Sequence, residues 1–218
     1  MKEKSLGKCT VPFLEDTFNL NQIQHSSVLT HWLTTDYKIS EFEKMYLESL
    51  QANLAFNLQS WNEYELLSHF IGPVLGMVGF SSRQFNLFGE RDLEAIVKGV
   101  TEEWRLFGKP DGMVAAGRRV PKQPYFAFQE YKREKDPDGD PTAQALAAML
   151  AGRALNQNKR PMYGCYIIGE KWNFMVLEEQ DYAVSHGFSA LGNDLFYIFS
   201  VLKKLKQYVI QFVAEDTY

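Results

Sequence analysis

The run Phe126-Ala127-Phe128-Gln129-Glu130-Tyr131-Lys132 constrains the fold of this chain more than any other stretch. It alternates as a strand does, which puts Phe126, Phe128, Glu130 and Lys132 on one face and Tyr125, Ala127, Gln129 and Tyr131 on the other. A face that starts with two phenylalanines and ends in a carboxylate and an ammonium needs compensation, because burying an ion without a partner is costly. A divalent cation held between Glu130 and a second carboxylate is the most economical compensation. Asp111, just upstream in Gly108-Lys109-Pro110-Asp111-Gly112, is the obvious second ligand. The glycines beside it predict a bent strand end where a ligand can approach, and Pro110 resists a central ladder position. A plain Pro-Asp-Gly turn is the alternative.

At 218 residues the chain suffices for one good-sized core with an elaborated terminus. Its 14% aromatic content argues against extended disorder. No apolar run approaches the ~18 residues that cross a bilayer, and Met1-Lys2-Glu3-Lys4 lacks the apolar segment of a secretory signal. The expectation is a cytoplasmic protein with no membrane partner. Cys9 and Cys165 have no metal-ligand spacing, which fits a reducing compartment. The absence of a Gly-x-x-x-x-Gly-Lys loop argues against ATP-driven work.

The formal charge of -4 counts against a nucleic-acid partner, since such binders are usually basic where they touch phosphate. A site built of carboxylates contributes negative charge that bound metal would neutralise. Lys109, Arg118, Arg119, Lys122, Arg133 and Lys135 cluster in sequence around the candidate site, and are expected to border it as a phosphate-binding rim. Solvated loop charges are the alternative for each.

Around this segment the first 36 residues show no sustained period and read as an irregular arm. Ser40, Glu41 and Glu43 open an accessory helix that runs to about Leu58 through Phe42, Met45, Tyr46, Leu50 and Leu54. Asn62 caps a second helix carrying Leu66, Leu67, Phe70, Ile71, Val74, Leu75 and Val78, which Gly72-Pro73 should kink or shorten. Glu63 heads its apolar stripe while Glu65 lies on the polar side; position alone favours reading Glu63 as a first-turn acid suited to the helix dipole, and the other carboxylates shift the balance toward the site. Strands follow between Arg91 and Gly117, with Leu93, Ala95 and Val97 alternating. After the Asp136-Pro137-Asp138-Gly139 loop, Asp140 and Pro141 start a helix to about Asn156. Gln144 shares its face with Ala147, Ala148, Ala151 and Leu155, so the helix can sit close on a sheet with the Gln144 amide near the sheet's end. A buried glutamine that satisfies a backbone group is the competing reading. Strands over 162–168 and 171–177 precede a final amphipathic helix over 194–212, with Lys203, Lys204 and Lys206 as its solvated face. The chain is expected to form one compact unit, with 1–59 as arm and accessory helix and 60–218 as the main domain with its C-terminal helix.

The order helix, three strands, helix, strand, with Glu63, Asp111, Glu130-x-Lys132 and Gln144 in sequence, resembles the PD-(D/E)XK nuclease superfamily over roughly residues 60 to 180. Asn62-Glu63-Tyr64-Glu65-Leu66, continuing to Phe70-Ile71-Gly72-Pro73, is similar to the opening helix of the nuclease domain of type I restriction enzymes. Glu130-Tyr131-Lys132-Arg133-Glu134 and Tyr163-Gly164-Cys165-Tyr166 are similar to a group of uncharacterised single-domain bacterial proteins. The resemblance implies an α/β, restriction-endonuclease-like αβββαβ core, its mixed central sheet flanked by helices, with an N-terminal helical extension and a C-terminal helix. It implies that Asp111, Glu130 and the Tyr131 carbonyl bind catalytic Mg2+, for which Mn2+ could substitute, and that Glu63 positions a metal-bound water or second ion. Lys132 would orient the attacking water and stabilise phosphate charge, and Gln144 would steady the site. Several relatives carry a tyrosine where this chain has Ala148. The implied activity is hydrolysis of nucleic acid, DNA first, in defence or repair, by a chain that could act as a homodimer. An idle nuclease fold used for binding or scaffolding is the alternative.

Overall fold

Side-chain oxygens of Thr10, Ser26, Ser40, Asn62 and Asp140 each accept a backbone N–H three residues on, and each sets the start of a helix. The computed structural model describes residues 1–134, 139–156 and 160–215. Its first elements are β1 (Lys2–Ser5), α1 (Val11–Phe18), β2 (Asn21–Gln22), α2 (Ser27–Leu33) and α3 (Glu41–Asn57). A continuous helical rod follows, made of α4 (Glu63–Leu66), a π turn (Leu67–Ile71) and α5 (Gly72–Val78). Then come β3 (Phe85–Gly89), β4 (Leu93–Lys98), β5 (Glu103–Gly108), β6 (Gly112–Ala116), β7 (Lys122–Lys132) and α6 (Pro141–Asn156). The chain closes with β8 (Met162–Ile168), β9 (Lys171–Glu178), β10 (Asp181–Val184), β11 (Phe188–Ser189) and α7 (Asp194–Glu215). Among the described residues no helix is long and apolar enough to cross a membrane.

The main sheet runs β2-β10-β9-β8-β7-β6-β3, with β11 on β9. It is mixed: β7 and β8 are parallel, as the α6 crossover between them requires, whereas β3, β6 and β7 pair antiparallel. One face packs against α2, α3, the helical rod and α7, through a core that includes Trp32, Leu54, Phe70, Trp172 and Phe199. The other face receives α6, whose small residues allow a close approach. A Cβ on Gly152 would lie 2.3 Å from the Phe128 ring. A small second sheet, β1-β5-β4, covers the far side of α6 with Leu93, Ala95, Val97 and Leu106.

Three expectations need correction. Residues 1–36 are not an irregular arm, because β1 pairs with β5 and Trp32 of α2 is fully buried with its indole donating to the Val201 carbonyl at 3.0 Å. The strands foreseen between Arg91 and Gly117 divide between two sheets, with only β6 in the main one. Its edge place is taken by β3, which the sequence reading passed over. Lys203, Lys204 and Lys206 are not merely solvated. Lys203 and Lys206 donate to the carbonyls of Met77 and Val78 at 3.2 Å each, and Lys204 bonds those of His31 and Thr34. They thus satisfy the open carbonyls at the ends of α5 and α2.

Gly72-Pro73 acts as foreseen in part. The proline lacks an N–H, and the helix absorbs it as a π turn in which Gly72 N–H reaches the Leu67 carbonyl. A Cβ at Gly72 would sit 2.8 Å from that oxygen, so glycine is required there.

Candidate active site

The Lys109-Pro110-Asp111 link is where the chain leaves the small sheet at the end of β5 and enters the main sheet at β6. This explains a proline and an acid where no ladder position exists. β6 begins opposite Gln129, so the last three residues of β7 extend beyond it and pair only with β8. Into that notch Asp111 turns its carboxylate, and Oδ2 accepts the Tyr131 N–H at 2.6 Å. In an extended strand a residue's N–H and C=O leave on the same edge, so the Tyr131 carbonyl also faces the Asp111 side.

Glu130 and Lys132 share one face and are 7% and 8% exposed, with Lys132 Nζ donating to Glu130 Oε1 at 2.8 Å. Glu63, at the first turn of the helical rod, places Oε2 3.8 Å from the same ammonium, while Glu65 completes the capping box with Asn62. The structure therefore brings Asp111, Glu130, Lys132 and Glu63 together at one end of β7.

The foreseen face needs one correction. Val114 pairs with Ala127 and Ala115 with Tyr125, so a bulge skips Phe126. Phe126 consequently joins Ala127 and Tyr131 on the α7 side, its ring stacked on Phe212 at 6.4 Å. Phe128 remains with Glu130 and Lys132 on the α6 side.

Burial raises the Glu130 carboxyl to about 7, helped by the charge of Asp111 and less by that of Glu63, and opposed by the hydrogen bond and charge of Lys132. Burial also raises Asp111 above the usual carboxylate range, with Glu90 contributing, against the Tyr131 N–H and Lys132. For Lys132 burial pulls downward, but the Glu130 hydrogen bond and the charges of Glu130, Asp111 and Glu63 hold it above its ordinary value. The site carries more carboxylates than its one ammonium can neutralise.

Glu90 went unforeseen. It lies between β3 and β4 at φ 47, a left-handed conformation uncommon without glycine, and its N–H donates to the Asp111 carbonyl at 3.2 Å. The only signal was turn composition in Gly89-Glu90-Arg91-Asp92. Gly112 has a structural reason different from ligand approach, since a Cβ there would lie 2.7 Å from the Tyr131 hydroxyl and 2.8 Å from Gln129 Oε1. Those two atoms are themselves hydrogen-bonded.

Gln144 is 9% exposed, and its amide donates to the Gly7 carbonyl at 3.3 Å. Among the described residues no hydrogen bond links it to Asp111, Glu130 or Glu63. The expected basic rim is also corrected. Lys109, paired with Asp92 at 3.8 Å, and Arg133 flank the site. Arg118, Arg119 and Lys122 lie at the opposite end of β6 and β7, eight residues from Lys122 to Glu130, or roughly 26 Å at about 3.3 Å per residue. Lys135 and the Asp136-Pro137-Asp138 segment expected to form a loop lie outside the described residues.

Among the described residues no group of three or more His, Cys, Asp or Glu side chains is arranged to hold a metal ion. Any cation here would rest on Asp111 and Glu130 with main-chain or water oxygens. Carboxylates in excess of the one ammonium fit such a hard cation in charge and donor type. In comparisons with known proteins, no family model and no curated sequence matches the chain.

Proposed function

We propose that the chain is a magnesium-dependent nuclease with a restriction-endonuclease-like core, acting on DNA. The observation that carries this reading is the placing of Lys132 2.8 Å from Glu130 and 3.8 Å from Glu63, one residue from the N–H that holds Asp111. The order of helical rod, β3, β6, β7, α6 and β8, with three antiparallel strands and a parallel fourth, supports the fold assignment.

Asp111, Glu130 and the Tyr131 carbonyl would hold Mg2+, which when bound supplies an acidified water and positive charge against the phosphate. The residues' own work follows from their states. Glu130 must give up a proton held to about 7 before it can act as a ligand. Lys132, kept charged, donates to water or to a phosphate oxygen without competing for the cation. Glu63, more exposed than Glu130, can accept a proton-bearing water at the rim. Lys109 and Arg133, which flank the site, would meet phosphates.

The test is incubation of purified protein with single-stranded, duplex and branched DNA and with RNA, with magnesium, with chelator, and with Asp111→Asn. Cleavage that needs magnesium and Asp111 supports the reading, and cleavage indifferent to both refutes it. A second reading, an idle nuclease fold used for binding, draws on the lack of a three-residue metal set among the described residues. It predicts nucleic-acid or protein binding without turnover.

A further inference from the structure

Helix α3 is apolar on two sides. Leu47, Leu50 and Leu54 face the core, while Phe42, Met45 and Phe56, all exposed, lie on the opposite side at helical spacing. Positions 42, 45, 46, 49, 52, 53 and 56 form a continuous stripe without a charged residue, although the outer face of a surface helix ordinarily carries most of its charge. A helix with apolar residues on both faces ordinarily lies between two neighbours, and among the described residues the outer one is missing.

The stripe carries a projection and a recess. Phe56, 90% exposed, stands near the end of α3. Near its start a cavity of about 330 Å³ opens between α3 and α5, lined by Phe42, Tyr46, Pro73, Gly76 and Met77. Phe42 and Tyr46 stack at 6.5 Å and 11° to form one wall, and Gly76 leaves the other open because a Cβ there would meet nothing within 4 Å. A cavity of about 150 Å³ already holds a benzene ring, so the recess has room for a phenylalanine. Phe56 cannot fill the recess of its own chain, since at about 1.5 Å per residue it lies about 21 Å along the helix from Phe42.

We propose that the outer face of α3 docks a second copy of this chain, antiparallel, with each Phe56 seated in the other copy's recess. Ser49 lies midway between Phe42 and Phe56, and a twofold axis beside it carries each projection to the opposite recess. The pairing closes on itself, because both contacts form at once. It also sets Met45 and Tyr46 across from Asn53 and Ala52, so long side chains meet short ones. Weighted by exposure at about 200 Å² per large side chain, Phe42, Met45, Tyr46 and Phe56 offer on the order of 550 Å² in each copy. A pair then covers about 1,100 Å², which passes the ~1,000 Å² of a specific interface. The interface is independent of the nuclease reading, since it uses none of Asp111, Glu130, Lys132 or Glu63.

The test is analytical ultracentrifugation of the full chain over a concentration series. Wild type should reach twice the monomer mass. Phe56→Lys and Gly76→Glu should each raise the dissociation constant by about 10²-fold or more, because an aromatic anchor is lost at two places in every dimer. Phe56 is exposed and Gly76 has open space, so the circular-dichroism spectrum of each variant should match wild type. Mixing the two variants should restore association, since in the mixed pair one contact joins the introduced lysine to the introduced glutamate and the other is wild type. Ser49→Cys should form an interchain disulfide on mild oxidation, because helices packed about 9 Å apart bring residues on the axis to about 5 Å between Cα atoms. Lys44→Cys, off the stripe, should not, and the buried Cys9 and Cys165 give no background. A monomer at every concentration, a dimer indifferent to both variants, a mixture that stays monomeric, or equal cross-linking through positions 44 and 49 overturns the proposal.

Discussion

Replacing Glu130 by glutamine should stabilise the metal-free protein at neutral and alkaline pH. The carboxyl titrates near 7 in the fold against an ordinary 4.5, chiefly because burial and Asp111 disfavour its charge. Since the folded value is raised, the native state binds the extra proton between these limits, and stability falls as pH rises from about 4.5 to about 7. At about 1.36 kcal/mol per pH unit the full cost is on the order of 3 kcal/mol, most of it expressed between about pH 5 and 8. Glu130→Gln removes the titration and retains an acceptor for Lys132. Urea denaturation of both proteins at pH 5 and pH 8, in chelator, gives the difference directly. Wild type should lose about 2 to 3 kcal/mol more than the variant over that interval. Identical pH dependence in the two, or a greater loss in the variant, would refute the electrostatic reasoning.

Gly112→Ala should destabilise by about 1 to 3 kcal/mol in denaturant, because its Cβ meets the Tyr131 hydroxyl and Gln129 at under 3 Å. An unchanged midpoint would mean the strand shifts freely there. Glu43, hydrogen-bonded by Ser40 and Tyr37 and paired with Lys203 at 3.0 Å, is held down to about 2 although burial opposes this. Its contribution is complete above about 4.5 and is lost as pH falls toward 2, so acid unfolding should shift to higher pH in Lys203→Met and lose this component in Glu43→Gln. Charge removal at Lys109 and Arg133 together should weaken nucleic-acid binding and flatten its salt dependence, whereas Arg118→Ala with Arg119→Ala should leave both unchanged. The reverse pattern would place the nucleic acid at the other end of the sheet.

Local signals carried much of this architecture. Ser40, Asn62 and Asp140 marked their helix starts because a cap is a contact within four residues, and β8 and β9 were visible as dense apolar runs. Sheet membership was not legible, since Leu93, Ala95 and Val97 alternate identically whether they face α6 from one side or the other. The exposed Phe42, Met45 and Tyr46 entered the α3 stripe beside Leu50 and Leu54, because hydrophobicity alone does not reveal which face lacks a neighbour. The grouping of Asp111, Glu130 and Lys132 could be foreseen from spacing, whereas the helix position of Glu63 alone suited a first-turn acid and only the other carboxylates and the family resemblance drew it to the site. The Phe126 bulge, the approach of Glu90 and the separation of Arg118 from the site all arise from strand pairing, which is set by contacts distant in sequence.

The most direct test compares cleavage rate with magnesium affinity in wild type, Glu130→Ala and Lys132→Ala, using whichever nucleic acid the wild type cuts. Glu130→Ala should lose metal binding and cleavage together. Lys132→Ala should keep much of its metal affinity while cleavage falls by ~10²-fold or more, because the ammonium acts on water and phosphate. Undiminished cleavage by either variant, or no metal binding by wild type, would contradict the account.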